Sequence, residues 1–293
     1  MNTPARILGA SLLFAATALV AAAQTHSINF TTPWEIGQRF TASSTASDSN
    51  QMVVSQGANV LQQQAQKRTA RLEADAEALG SFPHGGLSKA EFTIRSLHAS
   101  INGAPETEFL PAGAKVVVES HGGEKKTFTI DGRPATDEQT AILKLVIATD
   151  SPEHNDQIMF GPKKPVAVGE SWQPDVQAMQ STLGKDFDVS ATISGTMKLD
   201  AVEGSGPEQI DIVSGNIVFD NFIPPMPPGV TAKSGKMTMT LGGRIPAARA
   251  ASTRVETLAT VAEFSGEATP PNGPAVTLTM KAETKTTHTL TFP

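Results

Sequence analysis

The chain has 293 residues, a net charge of −6, and neither cysteine nor tyrosine. Without cysteine there is no disulfide framework, no thiolate metal site and no cysteine nucleophile. The acidic balance speaks against a nucleic-acid surface, which needs lysines and arginines to neutralise phosphates. Low charged content, with 24 glycines, 20 prolines and frequent threonine and serine, points to a mainly β fold.

The N-terminus carries Arg6, an apolar run from Ile7 to Val20, then Ala21-Ala22-Ala23 before Gln24, the layout of a cleavable export signal. Cleavage is expected after Ala23, which puts the mature chain in the periplasm or outside the cell. No later segment approaches the roughly 20 apolar residues of a membrane-spanning helix. In a bacterial protein the glycosylation match at Asn29-Phe30-Thr31 is idle.

Pro33-Trp-Glu-Ile-Gly-Gln-Arg-Phe40 repeats the pattern of Pro165-Val-Ala-Val-Gly-Glu-Ser-Trp172, so the chain reads as two related halves, each opened by this motif. Residues 59–79 are rich in helix formers, and propensity alone gives a helix. The likeness of Leu72–Gly80 to Met197–Gly204 favours instead a hairpin of Gln66–Leu79 with Ser88–Ile101. The apolar phase of that second strand shifts near Ser96, as a β-bulge would make it. Another hairpin pairs Val116–Glu119 with Thr127–Ile130. Thr136-Asp-Glu-Gln139 then reads as a capped helix start, giving one helix near 136–149.

A loop over Asp150–Asp156 leads to the Pro-rich joint Phe160–Trp172. Beyond it, Asp186–Ala201 alternates apolar and polar residues as a half-buried strand does, and further strands are expected at 208–221, 233–242 and 253–265. Val276–Phe292 alternates without a break. At about 3.3 Å per residue so long a strand requires a strongly curled sheet or an interruption.

The expected fold is mainly β: two related halves of long curved antiparallel strands, a half-barrel-like meander with one helix. The divisions are a signal peptide at 1–23, an N-terminal β half with the helix at 24–159, a Pro/Gly junction at 160–172 and a C-terminal meander at 173–293. An outer-membrane barrel is excluded, because its aromatic girdles have no counterpart here.

Catalytic signatures are lacking. There is no Gly-x-Ser-x-Gly elbow and no Ser-x-x-Lys, and His84-Gly-Gly86 and His121-Gly-Gly123 read as turn glycines beside a histidine. The six histidines never share the spacing that puts two on one element. Asp150, Glu153, His154 and Asp156 lack the order and sharp-turn glycine of a calcium loop, and Asp186 and Asp188 share a solvated strand face. No cofactor is implied.

Phe222-Ile-Pro-Pro-Met-Pro-Pro-Gly-Val230 is the unusual segment, an apolar connection stiffened by prolines that suits a lid or a docking surface. Phe222, Ile223, Met226, Val230 and Trp172 are therefore the expected contact residues for a ligand or partner. The partner classes are a hydrophobic small molecule or another envelope protein, with no nucleic acid and no membrane span.

Lys164-Pro-Val-Ala-Val-Gly-Glu-Ser-Trp172, with Leu110-Pro-Ala-Gly113 upstream, resembles a pattern found in uncharacterised exported bacterial β proteins. The resemblance covers short islands and implies fold and compartment only. In layout, the curled sheet with a helix is similar to periplasmic lipoprotein carriers, with no shared motif. Three readings of function follow: an exported non-catalytic protein binding a hydrophobic or lipid-like ligand in its curled sheet, an envelope scaffold with a filled core, or a hydrolase with an unrecognised site.

Overall fold

The computed structural model describes residues 24–31, 33–121, 125–152, 155–183, 191–223, 229–248, 253–269 and 273–293. The expected export signal at 1–23 thus lies outside the described residues, as do Asp186, Asp188, Glu153, His154 and the prolines of 224–228.

The first half contains β1 (Thr25–His26), β2 (Arg39–Gln56), β3 (Asn59–Ser81), β4 (Leu87–Ile101), β5 (Thr107–Leu110), β6 (Lys115–Ser120), β7 (Lys126–Ile130), β8 (Arg133–Pro134) and helix α1 (Asp137–Val146). Helix α2 (Asp156–Phe160), β9 (Val166–Ala167), β10 (Ser171–Trp172) and helix α3 (Val176–Leu183) form the passage between halves. The rest is a meander of β11 (Thr192–Glu203), β12 (Ile210–Asp220), β13 (Val230–Pro246), β14 (Thr253–Ala268) and β15 (Val276–Thr291).

Among the described residues all pairings are antiparallel, and apart from the small β1–β9 pair the strands form a single 13-stranded sheet in the order β10-β11-β12-β13-β14-β15-β2-β3-β4-β6-β7-β8, with β5 against β4. The sheet is not closed into a barrel. Its two halves meet where β15 pairs with β2 in unbroken register from Thr277↔Ser55 to Thr291↔Thr41. Among the described residues no helix is long and apolar enough to cross a membrane.

Residues 59–79 are strand throughout. Their helix-forming residues are laid out with a period of two: Ala70, Leu72, Ala74, Ala76 and Ala78 turn inward, and Arg71, Glu73, Asp75 and Glu77 turn outward. Only a strand separates those sets, so patterning overrides propensity. The expected bulge lies beside Ser96, where Glu73 faces Ser96 and Ala74 faces Ile94, leaving Arg95 unpaired.

Small inner alanines on β2 and β3 let α1 lie close to the sheet. Its cap is the expected one: Gln139 N–H donates to Thr136 Oγ1 at 3.2 Å and Thr136 N–H to Gln139 Oε1 at 2.9 Å. The helix buries Ile142, Leu143 and Val146 against Phe40, Leu72, Phe92 and Ile94. The sequence predicts one helix, and the described residues contain three. Both additional ones start at short polar caps, with Asn155 Oδ1 accepting from Ile158 N–H and Asp175 Oδ1 from Ala178 N–H. They cover the second apolar cluster, built from Met159, Met179, Met197, Leu199, Ile217 and Phe219.

The repeated openings fold alike. Gly37 and Gly169 both take a left-handed φ, +84° and +86°, which favours glycine. Gly37 N–H donates to Ala78 O and receives Ala78 N–H back on Gln38 O; Gly169 N–H donates to Leu199 O, and Leu199 N–H returns to Glu170 O. These bonds align Ala78 with Leu199, offset by four residues from the match of Leu72 with Met197 read off the sequence. Both chain ends also cross over. Ile28 and Phe30 pack in the second cluster, while Phe292 packs in the first, 5.6 Å from the Trp34 ring.

Candidate functional site

The expected contact residues separate in the structure. Phe222 is 3 % exposed and belongs to the second cluster, its ring 6.2 Å from Phe219 and 5.7 Å from Phe264. Its backbone N–H donates to Gly235 O at 3.1 Å. Ile223 and Val230 are half-buried, and Met226 lies outside the described residues. Trp172 is half-buried at the position equivalent to Phe40, with its indole N–H donating to Phe160 O at 2.7 Å and its ring on the second cluster. Phe222 and Trp172 are thus anchors of one core, which Ile223 and Val230 do not join.

At the seam between the clusters lies a group of ionisable side chains of which the sequence drew attention only to Asp150 and Asp156. On the inner face, Glu256 of β14 stands opposite His288 of β15, which stands opposite Ser44 of β2. Ser44 Oγ and His288 Nδ1 are 2.9 Å apart, and burial lowers the basicity of the imidazole. Arg254 Nε donates to Glu256 Oε1 at 2.6 Å, and its Nη2 to Phe30 O at 2.7 Å. Asp150 and Asp156 come from the passage after α1. Asp150 accepts the Leu87 N–H, yet burial still raises its pKa. Burial, then the nearby Asp150 and Glu256 charges, push Asp156 up to about 7.

A serine, a histidine and a glutamate in a row invite a nucleophilic reading, but the geometry opposes it. Ser44 is 3 % exposed, and neither open groove described below includes Ser44, His288 or Glu256 in its lining. A nucleophile has to reach its substrate. The row instead ties together the N-terminal segment, the passage and the sheet, satisfying polar groups where the two apolar clusters end. No group of three or more His, Asp or Glu among the described residues is placed to hold a metal.

Two of the grooves formed by the described residues open broadly to solvent. One, of about 650 Å³, is lined by Arg39, Asp75, Glu77, Glu91 and Lys115 with Phe292 at one end; the other, of about 420 Å³, is lined by Gln51, Val53, Lys236, Glu263 and Lys281. Their cations are already engaged, Arg39 with Glu77 at 3.2 Å, Lys115 with Glu91 at 2.9 Å and Lys281 with Glu283 at 2.8 Å. Neither groove offers a fixed charge of one sign for a ligand.

The remaining feature is an arm. β2 and β3 run past the end of β4 and turn through Gly57-Ala58, and from Ser49 to Gln66 no residue is charged. β4 pairs with β3 only from Arg68↔Ile101 onward. The adjoining Lys67 is capped by a turn, its N–H donating to Asn102 Oδ1 at 3.1 Å and its C=O accepting Asn102 N–H at 2.7 Å. Backbone groups alternate sides along a strand. With Lys67 facing outward, Ala65 and Gln63 face outward too, and among the described residues no strand pairs with them there. Val60 and Leu61 are 60 % and 56 % exposed. The sequence signal was present as an uncharged, glutamine-rich run in an otherwise charged strand.

No known protein family matches the chain, and no curated protein is similar to it at a significant level.

Proposed function

We propose that the protein is an exported, non-catalytic envelope protein, periplasmic or extracellular once residues 1–23 are removed, that serves as an interaction scaffold. The observation that carries this reading is the occupied inner face of the sheet. Each half is filled by its own helices and large side chains. Between them the inner face presents Thr260, Thr284, Asp48 and Arg68 in one row across adjacent strands. A lipid chain laid there would meet hydroxyls and the Arg68–Asp48 pair, whose desolvation it could not offset. A rigid sheet with a bare edge suits strand addition, in which the backbone of a partner completes the ladder.

A second reading, binding of a hydrophobic small molecule, has one observation in its favour. Phe264, Met280 and Met52 form a half-buried apolar row on the inner face, next to Phe222. Native mass spectrometry of the protein purified from its own envelope separates the readings. The scaffold reading expects the bare chain mass and no uptake of a hydrophobic dye; a stoichiometric apolar adduct would replace it with the carrier reading.

A further inference from the structure

We propose that the partner at the open edge is a second copy of this chain, the two β3 strands pairing antiparallel through residues 61–65 about a two-fold axis at Gln63. This rests on the scaffold reading and names its occupant.

The edge is unlike the other ends of the sheet. The outermost strands, β8 and β10, are two residues long, β8 finishes on Pro134, which has no N–H, and β10 is followed closely by Pro174. Short strands and prolines are the usual means of blunting an edge. Residues 59–67 have neither proline nor any acidic residue, and their only charge is Lys67 at the boundary. A bulge at Leu61, where Val54 pairs with Gln62 and Ser55 with Val60, is the one device of this kind on the segment; from Gln62 to Gln66 the edge is bare and would recruit strands indiscriminately unless it has a designated occupant.

The segment is complementary to itself. With Gln63 on the axis, Leu61 faces Ala65 and Gln62 faces Gln64 in both directions; beyond them the outward groups of Lys67 already hold Asn102, and a bulge at Leu61 breaks the alternation before Val60 and Asn59. Apolar residues meet apolar or amide groups, the glutamines form an amide ladder, and no like charges oppose each other, as cross-strand pairing requires. The outward N–H and C=O groups of Gln63 meet those of its symmetry mate, and those of Ala65 are presented to the mate's Leu61. The window is closed on both sides, by Asn102 bound to Lys67 at one end and by the Gly57-Ala58 turn at the other, so the dyad cannot slide far. Isologous contacts of this kind are the commonest route to a symmetric dimer.

Charge supports the same occupant. The chain is acidic overall, so two copies repel over most of their surfaces. The stretch between Asp48 and Lys67 is where that repulsion is weakest, because it is uncharged on both strands of the arm.

The test uses the full mature chain. Sedimentation equilibrium should give a mass twice that of one chain, falling to the single-chain mass in Ala65→Lys, which places an unpaired charge in the ladder. The same fall is expected in Gln63→Pro, which removes an N–H that faces no other strand among the described residues. Unchanged circular dichroism and melting temperature would show both variants folded. Since the chain has no cysteine, Gln63→Cys carries a nitroxide at one known position. Strong dipolar broadening is expected there, and none from Glu208→Cys on a distant turn. A single-chain mass at high concentration would overturn the dimer while leaving the scaffold reading with a different partner. A double mass that survives both edge variants, with no broadening at position 63, would overturn the edge as the interface.

Discussion

Replacing Asp156 by asparagine should stabilise the protein at alkaline pH and flatten its pH dependence. Asp156 opens α2 beneath the N-terminal segment, and its pKa rises from the ordinary 3.8 to about 7, first through burial and then through the Asp150 and Glu256 charges. An acid whose folded pKa is raised is bound to its proton more tightly in the native than in the unfolded state. Below pH 4 both states are protonated and there is no contribution. From pH 4 to 7 the unfolded state alone loses its proton, so stability falls by about 1.4 kcal/mol per pH unit and levels off above 7. The full penalty is ~4 kcal/mol as an upper limit, since water and side-chain rearrangement relax part of it. Asparagine removes this penalty and gives up a helix N-terminal charge worth ~0.5 kcal/mol, so the relief wins. Urea unfolding at pH 5 and pH 8 measures the difference. The wild type should lose stability between those values, whereas Asp156→Asn should lose clearly less and exceed the wild type at pH 8. Equal slopes for the two proteins would refute the assignment of Asp156 to a crowded acidic seam.

Two further substitutions probe the frame. Trp172→Ala should cost about 3 kcal/mol, from a half-buried ring and a lost hydrogen bond to Phe160 O, read as a shift of the urea midpoint; an unchanged midpoint would show that the second opening is not an anchor. Arg68→Ala should cost roughly 3 kcal/mol at neutral pH, because it leaves Asp48, 7 % exposed, without the guanidinium that faces it at 3.1 Å. The double variant with Asp48→Asn should recover much of that loss.

The strands were legible wherever one face is buried. β15, the Met237–Leu241 run of β13 and the inner alanines of β3 alternate strictly, and α1 announced itself through Thr136 and Gln139. The repeat of Pro33–Phe40 at Pro165–Trp172 carried through to matching glycine conformations and hydrogen bonds. The seam was not legible, since Ser44, Asp150, Asp156, Arg254, Glu256 and His288 are scattered along the chain and converge only when β15 closes against β2. Helices α2 and α3 are five and eight residues long, too short for their periodicity to stand out. Phe222 was expected at a contact surface because it adjoins prolines, yet its ring fills a core. The open edge was obscured for a different reason: helix propensity and strand pattern competed over 59–79, and neither states which strand ends first. The edge exists because β4 stops at Ile101 while β3 continues to Asn59.

Amide hydrogen exchange along β3, resolved residue by residue at low and high protein concentration, tests the account most directly. In dilute protein the amides of Gln62 and Gln64, bonded to β2, should be protected while those of Gln63 and Ala65 exchange freely, and protection of the latter pair should appear as concentration rises. Protection of Gln63 and Ala65 in the dilute chain would mean that the edge is already covered from within, and free exchange at every concentration would mean that nothing pairs with it.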